Sequence, residues 1–408
     1  MILQKRLITR LNDILVFQRF LFGLGSFSRR RISLENARAI VARRLDQRED
    51  NFLTTVKHGI FSNPTSPYLP LLKMADCEFG DIFSMVRQKG LEAALSTLKN
   101  SGVFLTFEEF KGKQPIIRNG LKIKTDSNSF NNPNLKRYFS ATTGGRTGKP
   151  KIVNIDLKHL EAQAPSMMLG REAHELLGMP SAIWFGVFPD GSGPNNLLRP
   201  SCFGDMPHKW FTPFGFQKFK GTFKYRLANF LFIFMGRAQG MPIPIPRVVP
   251  FDQASFIARW MKSVIRNQGA CMLNTHPSKA LRVALAAREE GFDLKGGVFL
   301  IAGEPITKTK TRKIEEAGAR WVPYYPFSEM GHVGFGCANP AEANDIHLYR
   351  DSAALIQAPR IIEGKSFNVD AFYFTSLLPS APKLLLNVES DDSGLVNLLP
   401  SQPHKAAA

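Results

Sequence analysis

The chain has 408 residues, 44% of them hydrophobic and 21% charged, with a formal net charge of +19. This is an ordinary globular composition with ample length for a buried core. Four widely scattered cysteines (Cys77, Cys202, Cys271, Cys337) exclude a disulfide scaffold and point to reduced thiols in a cytoplasmic setting. No zinc-finger spacing or RNA-recognition signature accompanies the positive charge, so nucleic acid is not an expected partner.

Residues 1–31 are rich in Lys and Arg, with Asp13 the only acid, and Leu15, Phe17, Phe20 and Phe22 contribute to an apolar face. Gln18 and Arg19 interrupt the apolar run and no small-residue cleavage site is clear, so the segment does not read as a signal peptide. It reads as a helix, either lying on a membrane or packed on the body of the protein. Residues 34–110 read as mostly helical. Ser33 starts one helix, and Met85 to Leu98 keeps helical spacing. Pro64, Pro67 and Pro70 punctuate the connection. Residues 111–135 are polar and turn-rich.

Thr143 to Lys151 reads TGGRTGKPK. Glycines allow close backbone approach to a phosphate and supply the positive φ that converging N–H groups require. Thr143 and Thr147 offer hydroxyls, and Arg146, Lys149 and Lys151 offer charge. A solvated basic turn is the plainer alternative. The stretch is not a Walker A loop, because Pro150 follows Gly148-Lys149 and Thr143 stands where the first Gly belongs.

Further along, Ala182 to Phe188 reads as a buried strand ended by Pro189, with a loop at 190–194. Leu227 to Met235 is strongly apolar but too short to span a bilayer, which needs about 20 residues. Buried packing is one reading of it, and a membrane-facing or acyl-binding patch the other. Asp252 is positioned to cap a helix running to about Gln268. A helix at 278–290, a strand at 297–302, a helix at 306–317 and a strand near 320–325 follow. Strand, helix, strand at this spacing is a βαβ unit with parallel pairing. Ligands in such sheets collect at the carboxyl ends of strands, which would put Gly303-Glu304-Pro305 and Tyr325 to Glu329 on one rim.

Four motifs in order, TGGRTGKPK, IAGEPIT (301–307), YPFSE (325–329) and FTSLLPSAPKLLLNVESDD (374–392), resemble the adenylate-forming (AMP-binding) superfamily. The nearest branch is that of phenylacetate-CoA ligase and coenzyme F390 synthetase, and the likeness covers roughly residues 135–395. It implies an α/β fold, the large N-terminal domain of that superfamily, with β-sheets flanked by helices. The expected layout is a helical region at 1–110, an AMP-binding core at 111–395 and a tail at 396–408, without the superfamily's C-terminal small domain.

The resemblance implies ATP-dependent activation of an aromatic or fatty acid, with transfer to CoA or a phosphopantetheine thiol. It sets Glu329, as a Mg²⁺ ligand, with Thr147 and Lys151 at the chemistry. It sets Thr143, Gly144, Gly145, Arg146, Thr147, Gly148 and Lys149 on the phosphates. Gly303, Glu304, Pro305 and Tyr325 would flank the adenine, Ser328 would lie in the same motif, and Asp392, with Asp391 competing, would hold the ribose. The superfamily's Arg-Tyr-x-x-Gly-Asp becomes Asn387 to Asp392 here, so a fixed positive charge is lost. Some relatives carry a structural zinc site nearby. Cys271, His276 and Cys337 form a chemically sound partial set for one, with His332 a candidate fourth ligand. Expected partners are the acid, an acyl carrier protein or a separate C-terminal domain, and a peripheral membrane contact. The second reading is a non-catalytic adenylation-like scaffold.

Overall fold

The computed structural model describes residues 15–27, 29, 31–126, 128–135, 139–143, 151–215, 222–327, 329–361 and 368–397. The chain divides into two compact units. One comprises Met1–Asp46, Asn134–Ser352 and Ser380–Pro382, and the other Gln47–Pro133, Ala353–Pro379 and Lys383–Ala408.

The first unit opens with α1 (15–27) and α2 (Leu34–Asp46). Ser33 starts α2 as expected, its hydroxyl accepting the Asn36 N–H at 3.1 Å. Phe20, Leu24 and Phe27 of α1 are buried in a core cluster, so the described part of the N-terminal segment packs on the body.

The second unit begins with α3 (Arg48–Val56), α4 (Tyr68–Met74), α5 (Phe79–Lys89), α6 (Leu91–Asn100) and α7 (Phe107–Phe110). A hairpin of β1 (Ile116–Arg118) and β2 (Leu121–Ile123) follows. The expected continuous helix from Met85 to Leu98 is broken at Gly90, whose φ of 80° and ψ of 166° only glycine adopts freely.

Back in the first unit, β3 (Phe139–Thr143) pairs antiparallel with β4 (Lys151–Ile155), and α8 (Leu157–Ala173) follows. Then come β5 (Ser181–Trp184), α9 (Ser192–Ser201), β6 (Lys209–Thr212), α10 (Thr222–Ala238) and β7 (Pro246–Val248). The strand expected to reach Phe188 stops at Trp184. The loop expected at 190–194 gives way at Ser192 to α9, where Asp190 Oδ1 accepts the Ser192 N–H at 2.8 Å. Next are α11 (Ala254–Gln268), β8 (Cys271–Thr275), α12 (Pro277–Glu289), β9 (Gly297–Ile301), α13 (Lys308–Glu316), β10 (Arg320–Phe327), β11 (Gly331–Gly336) and β12 (Ile346–Leu348). Asp252 does not cap α11. A short 3-10 turn, Phe251–Gln253, intervenes and Gln253 takes the cap position with no side-chain bond.

Strands β5 to β12 form one eight-stranded sheet in the order β12-β11-β10-β9-β8-β5-β6-β7. The strands from β10 to β7 are parallel, and β11 and β12 add antiparallel at one edge. Successive residues of the central strands face opposite cores. Cys271, Leu273, Phe299 and Ile301 enter one cluster with α11, α12 and α13, while Met272, Val298 and Leu300 enter another. Both faces are covered, so these strands read as unbroken apolar runs. The chain winds outward one way through β5, β6 and β7 and the other way through β8, β9 and β10. The direction therefore reverses between β5 and β8.

The second unit closes with β13 (Ala353–Ile361), β14 (Asn368–Ser376) and β15 (Val388–Ser393) in one antiparallel sheet.

Candidate functional site

A parallel sheet whose strand order reverses leaves a crevice beyond the carboxyl ends of the strands at the reversal. Here that crevice lies beyond Trp184 of β5 and Thr275 of β8. The βαβ unit from β9 to β10 puts Gly303-Glu304-Pro305 and Tyr325 to Phe327 on the same rim.

Four groups meet at the reversal. His276 immediately follows β8, and Pro277 sits at the first position of α12. The His276 Nδ1–H donates to Ala302 O at 2.8 Å, which leaves Nε2 as an acceptor. Gly303 has φ of 79°, and a Cβ there would lie 3.0 Å from His276 Nδ1. Glycine is thus needed for the backbone conformation and for the imidazole beside it. The Glu304 carboxylate accepts the Ser278 hydroxyl at 2.8 Å and the Ser278 N–H at 3.1 Å. It stands at the N-terminus of α12, where negative charge is favoured. Burial alone would raise its pKa, but Ser278, His276 and Lys310 outweigh burial and hold it below the ordinary carboxylate range.

Lys279, one turn into α12, is buried. Its ammonium donates to Trp184 O at 2.9 Å and lies 5.7, 5.3 and 5.9 Å from the rings of Trp184, Phe185 and Phe251. Burial lowers its pKa to about 8, with Asp190 and Glu304 pulling the other way. The ammonium thus sits in an aromatic box, held by dispersion and cation–π attraction. An open groove of about 530 Å³ adjoins this end of the sheet, lined by Phe214, Val248, Pro250 and Phe251 among others, with Asp252 and Arg282 as its charged residues.

Glu329 lies between β10 and β11, with 8% of its surface exposed. Helix α8 fixes the chain around it. The Gln163 amide donates to Met330 O at 2.6 Å, and the His159 Nε2–H donates to the same oxygen at 2.9 Å. Burial, then Arg199 and Arg44, push the His159 pKa down to about 3, so this imidazole is neutral. Gly331 has φ of 81°, and a Cβ there would meet the Gln163 amide nitrogen at 2.2 Å. Arg199, itself buried, donates to Gln163 Oε1 at 3.1 Å and to His332 Nε2 at 2.9 Å. Its pKa is lowered to about 10 by burial. Tyr324 OH donates to Asn274 Oδ1 at 3.1 Å, and the Asn274 amide donates to Asn196 Oδ1 at 3.0 Å, tying β10, β8 and α9 together.

Tyr325 is half-buried, its ring 6.0 Å from that of Phe327. The β10–β11 pairing slips between Tyr325 and Pro326, and such a bulge re-aims side chains at a strand end. Thr143 and Lys151 are register partners in the β3–β4 pairing, so the two ends of TGGRTGKPK are adjacent. Gly144, Gly145, Arg146, Thr147, Gly148, Lys149 and Ser328 lie outside the described residues. Asp392 belongs to the second unit, on the exposed end of β15 beside Asp391.

The zinc set is not assembled. Cys271 opens β8 and His276 follows its far end, about 16 Å away at about 3.3 Å per residue. Burial pushes the Cys271 thiol up to about 12. Cys337 follows β11, and His332 is engaged with Arg199. Among the described residues, no group of three His, Cys, Asp or Glu could hold a metal ion.

Lys279, Gln163, His159 and Arg199 were missed by the sequence reading. Lys279 had a usable signal, since it lies one turn past the His-Pro that ends a buried strand. The other three had none, because what marks each of them is a partner in a distant stretch of the chain.

No protein-family model matches this chain, and no curated protein does. Among solved structures, it is similar to a 2-hydroxyisobutyryl-CoA ligase in complex with 2-HIB-AMP and CoA. The identity is 14% over 87% of this chain and 64% of that one, with a TM-score of 0.48. It is also similar to McyG A-PCP complexed with phenylalanyl-adenylate (10% identity, 71% of this chain, 41% of that one, TM-score 0.35). A third is a luciferase-like enzyme from the nonluminescent Zophobas morio mealworm (11% identity, 63% of this chain, 51% of that one, TM-score 0.34). The chain thus spans less than two thirds of the length of each of these proteins.

Proposed function

We propose that this chain activates a carboxylic acid with ATP, forming an acyl-adenylate and releasing pyrophosphate, and that the acyl group then passes to the thiol of CoA or of a carrier protein. The observation that carries this reading is the shared rim, on which Glu329, Gly303 and the β5–β8 reversal stand at the carboxyl ends of parallel strands. In the reaction a carboxylate oxygen attacks the α-phosphorus while the bond to the oxygen bridging to the β-phosphate breaks. Both reactants are anionic, so the site has to offset negative charge and hold the two in line.

Glu329 is the residue suited to a magnesium ion, since that ion takes carboxylate oxygens together with substrate phosphates. The ion would neutralise charge on the leaving pyrophosphate. Buried His159 and Gln163 fix the Met330 carbonyl and with it the Glu329 backbone. Lys279 supplies a cation at the reversal, suited to an anionic substrate group. The residues from Thr143 to Lys151 would hold the phosphates, and Tyr325 would stack on the base. The apolar groove lined by Phe214, Val248 and Phe251 suits an aromatic or fatty acid.

The test is acid-dependent exchange of labelled pyrophosphate into ATP, using pooled aromatic and fatty acids. Exchange that one acid stimulates, and that Glu329→Gln lowers by about a hundredfold or more, is the expected result. Exchange undiminished in Glu329→Gln would remove that residue from the mechanism. The second reading, an adenylation-like scaffold, is favoured by Asn387. It is fully buried and its amide donates to Leu95 O at 2.8 Å and Val103 O at 3.2 Å, where the resemblance expects a charged arginine. A rise in melting temperature with ATP, without exchange for any acid, would establish that reading instead.

A further inference from the structure

Helix α10 carries apolar residues on opposite sides, yet among the described residues only one of those sides is covered. Phe232 and Asn229 face inward, and the Phe232 ring stacks 5.8 Å from that of Phe20 on α1. Away from them, Phe223, Leu227, Phe230 and Phe234 are 79, 44, 61 and 56% exposed. Their spacing of four, three and four residues aligns them in one stripe along the helix. The Phe230 and Phe234 rings stack on each other, 5.8 Å apart and 10° from parallel, in the open. A run of exposed aromatics of this kind marks an interaction surface rather than the scattered apolar residues of an ordinary surface.

The charge around the stripe indicates what covers it. No acidic residue occurs between Asp205 and Asp252, whereas Lys224, Arg226 and Arg237 lie on α10 itself, all exposed. The two arginines fall within about 60° of the stripe at about 100° per residue. Helix α1 repeats the pattern. Its Leu15 and Phe22 are 53 and 74% exposed and share one face with exposed Arg19, and residues 15–27 contain no acid. The two helices are held together by the Phe20–Phe232 stack and by the Gln239 amide, which donates to Leu21 O at 3.0 Å. No described helix is long and apolar enough to cross a membrane.

We infer that α10, with α1 beside it, is a peripheral docking surface for an anionic lipid membrane. The phenylalanines enter the boundary between headgroups and acyl chains while the arginines and lysine meet the phosphates. Aromatic and aliphatic side chains on one face, with cations beside them and no acids, are what an interfacial helix requires. The inference is independent of the proposed catalysis.

The experiment is co-sedimentation of the full chain with phosphatidylcholine vesicles, with and without phosphatidylglycerol. Binding is expected only to the anionic vesicles and should weaken as salt rises. Arg226→Glu/Arg237→Glu should lower binding by about thirtyfold or more, from about fivefold for each cation near the surface. Phe230→Asp/Phe234→Asp should abolish it, whereas Phe230→Trp/Phe234→Trp should retain it, since Trp suits the interface. The phenylalanine pairs alter exposed positions and should melt with the parent. Arg237→Glu also loses the Nε–H bond to Ile243 O at 2.8 Å, so the arginine pair is read beside Arg226→Glu alone, which should lower binding by about fivefold or more. Vesicle binding that is absent, or equal on neutral lipid, or unchanged in the Asp and Glu pairs, would overturn the inference. So would a stable dimer in light scattering that Phe230→Asp/Phe234→Asp dissociates, because the stripe would then be covered by a second copy.

Discussion

Glu329 and Gly331 are near neighbours in the chain, and the sequence disclosed them unequally. The motif YPFSE drew attention to the carboxylate. The glycine owes its importance to Gln163, which fills the space a Cβ would need and bonds the neighbouring Met330 carbonyl. A substitution there meets both the left-handed backbone, which costs roughly 1–2 kcal/mol, and a clash with the Gln163 amide. Gly331→Ala is therefore expected to lower stability by about 2 kcal/mol or more and to reduce pyrophosphate exchange along with it. Urea denaturation measures the first effect, and an unchanged transition would mean that Gln163 moves aside freely. Arg171 and Asp205 make the same point about partners. Their buried ion pair joins two separate stretches of the chain, and neither residue looks unusual in its own stretch.

Among the elements, the buried parallel strands were the most legible, because both faces are covered and the runs are uninterrupted. GVFLI (297–301) announced β9 directly, and its spacing to β10 announced the parallel pairing. The helix boundaries were less legible. Met85 to Leu98 keeps helical spacing through Gly90, yet the chain turns there because the residue takes a conformation closed to other amino acids. Gly90→Ala should cost roughly 1–3 kcal/mol, since it forces a side chain into that region, although no atom lies within 4 Å of the added Cβ. A denaturation midpoint equal to the parent's would show that α5 and α6 can fuse into one helix without loss. Helix α10 was legible as an apolar stretch, but which of its faces is covered depends on α1, which lies far earlier in the chain.

At the scale of the whole molecule, three enclosed histidines set a pH dependence. His159, His276 and His332 all have pKa values lowered chiefly by burial, the first to about 3. The ordinary value is 6.5. Below it the unfolded chain takes up protons that the folded protein refuses. Their contribution to stability is therefore complete above about pH 6.5 and is lost as pH falls below it, for His159 down to about 3 and by up to about 1.4 kcal/mol per pH unit, with His276 and His332 acting in the same direction. Denaturation midpoints should fall between pH 7 and pH 5. His159→Gln, which keeps a donor for Met330 O, should make that fall shallower. A flat profile in the parent would contradict the burial of these rings.

The sequence by itself determined the α/β class, the parallel βαβ unit, the rim that carries Gly303 and Tyr325, and the basic, apolar character of the 206–250 segment. Periodicity and turn chemistry are local properties, readable wherever neighbours in the chain are neighbours in space. Tertiary structure alone decided the reversal between β5 and β8, the aromatic box around Lys279, the neutral His159, the unassembled zinc set and the exposed stripe of α10. Each of these depends on which distant segment lies against a residue, and packing of the whole chain fixes that.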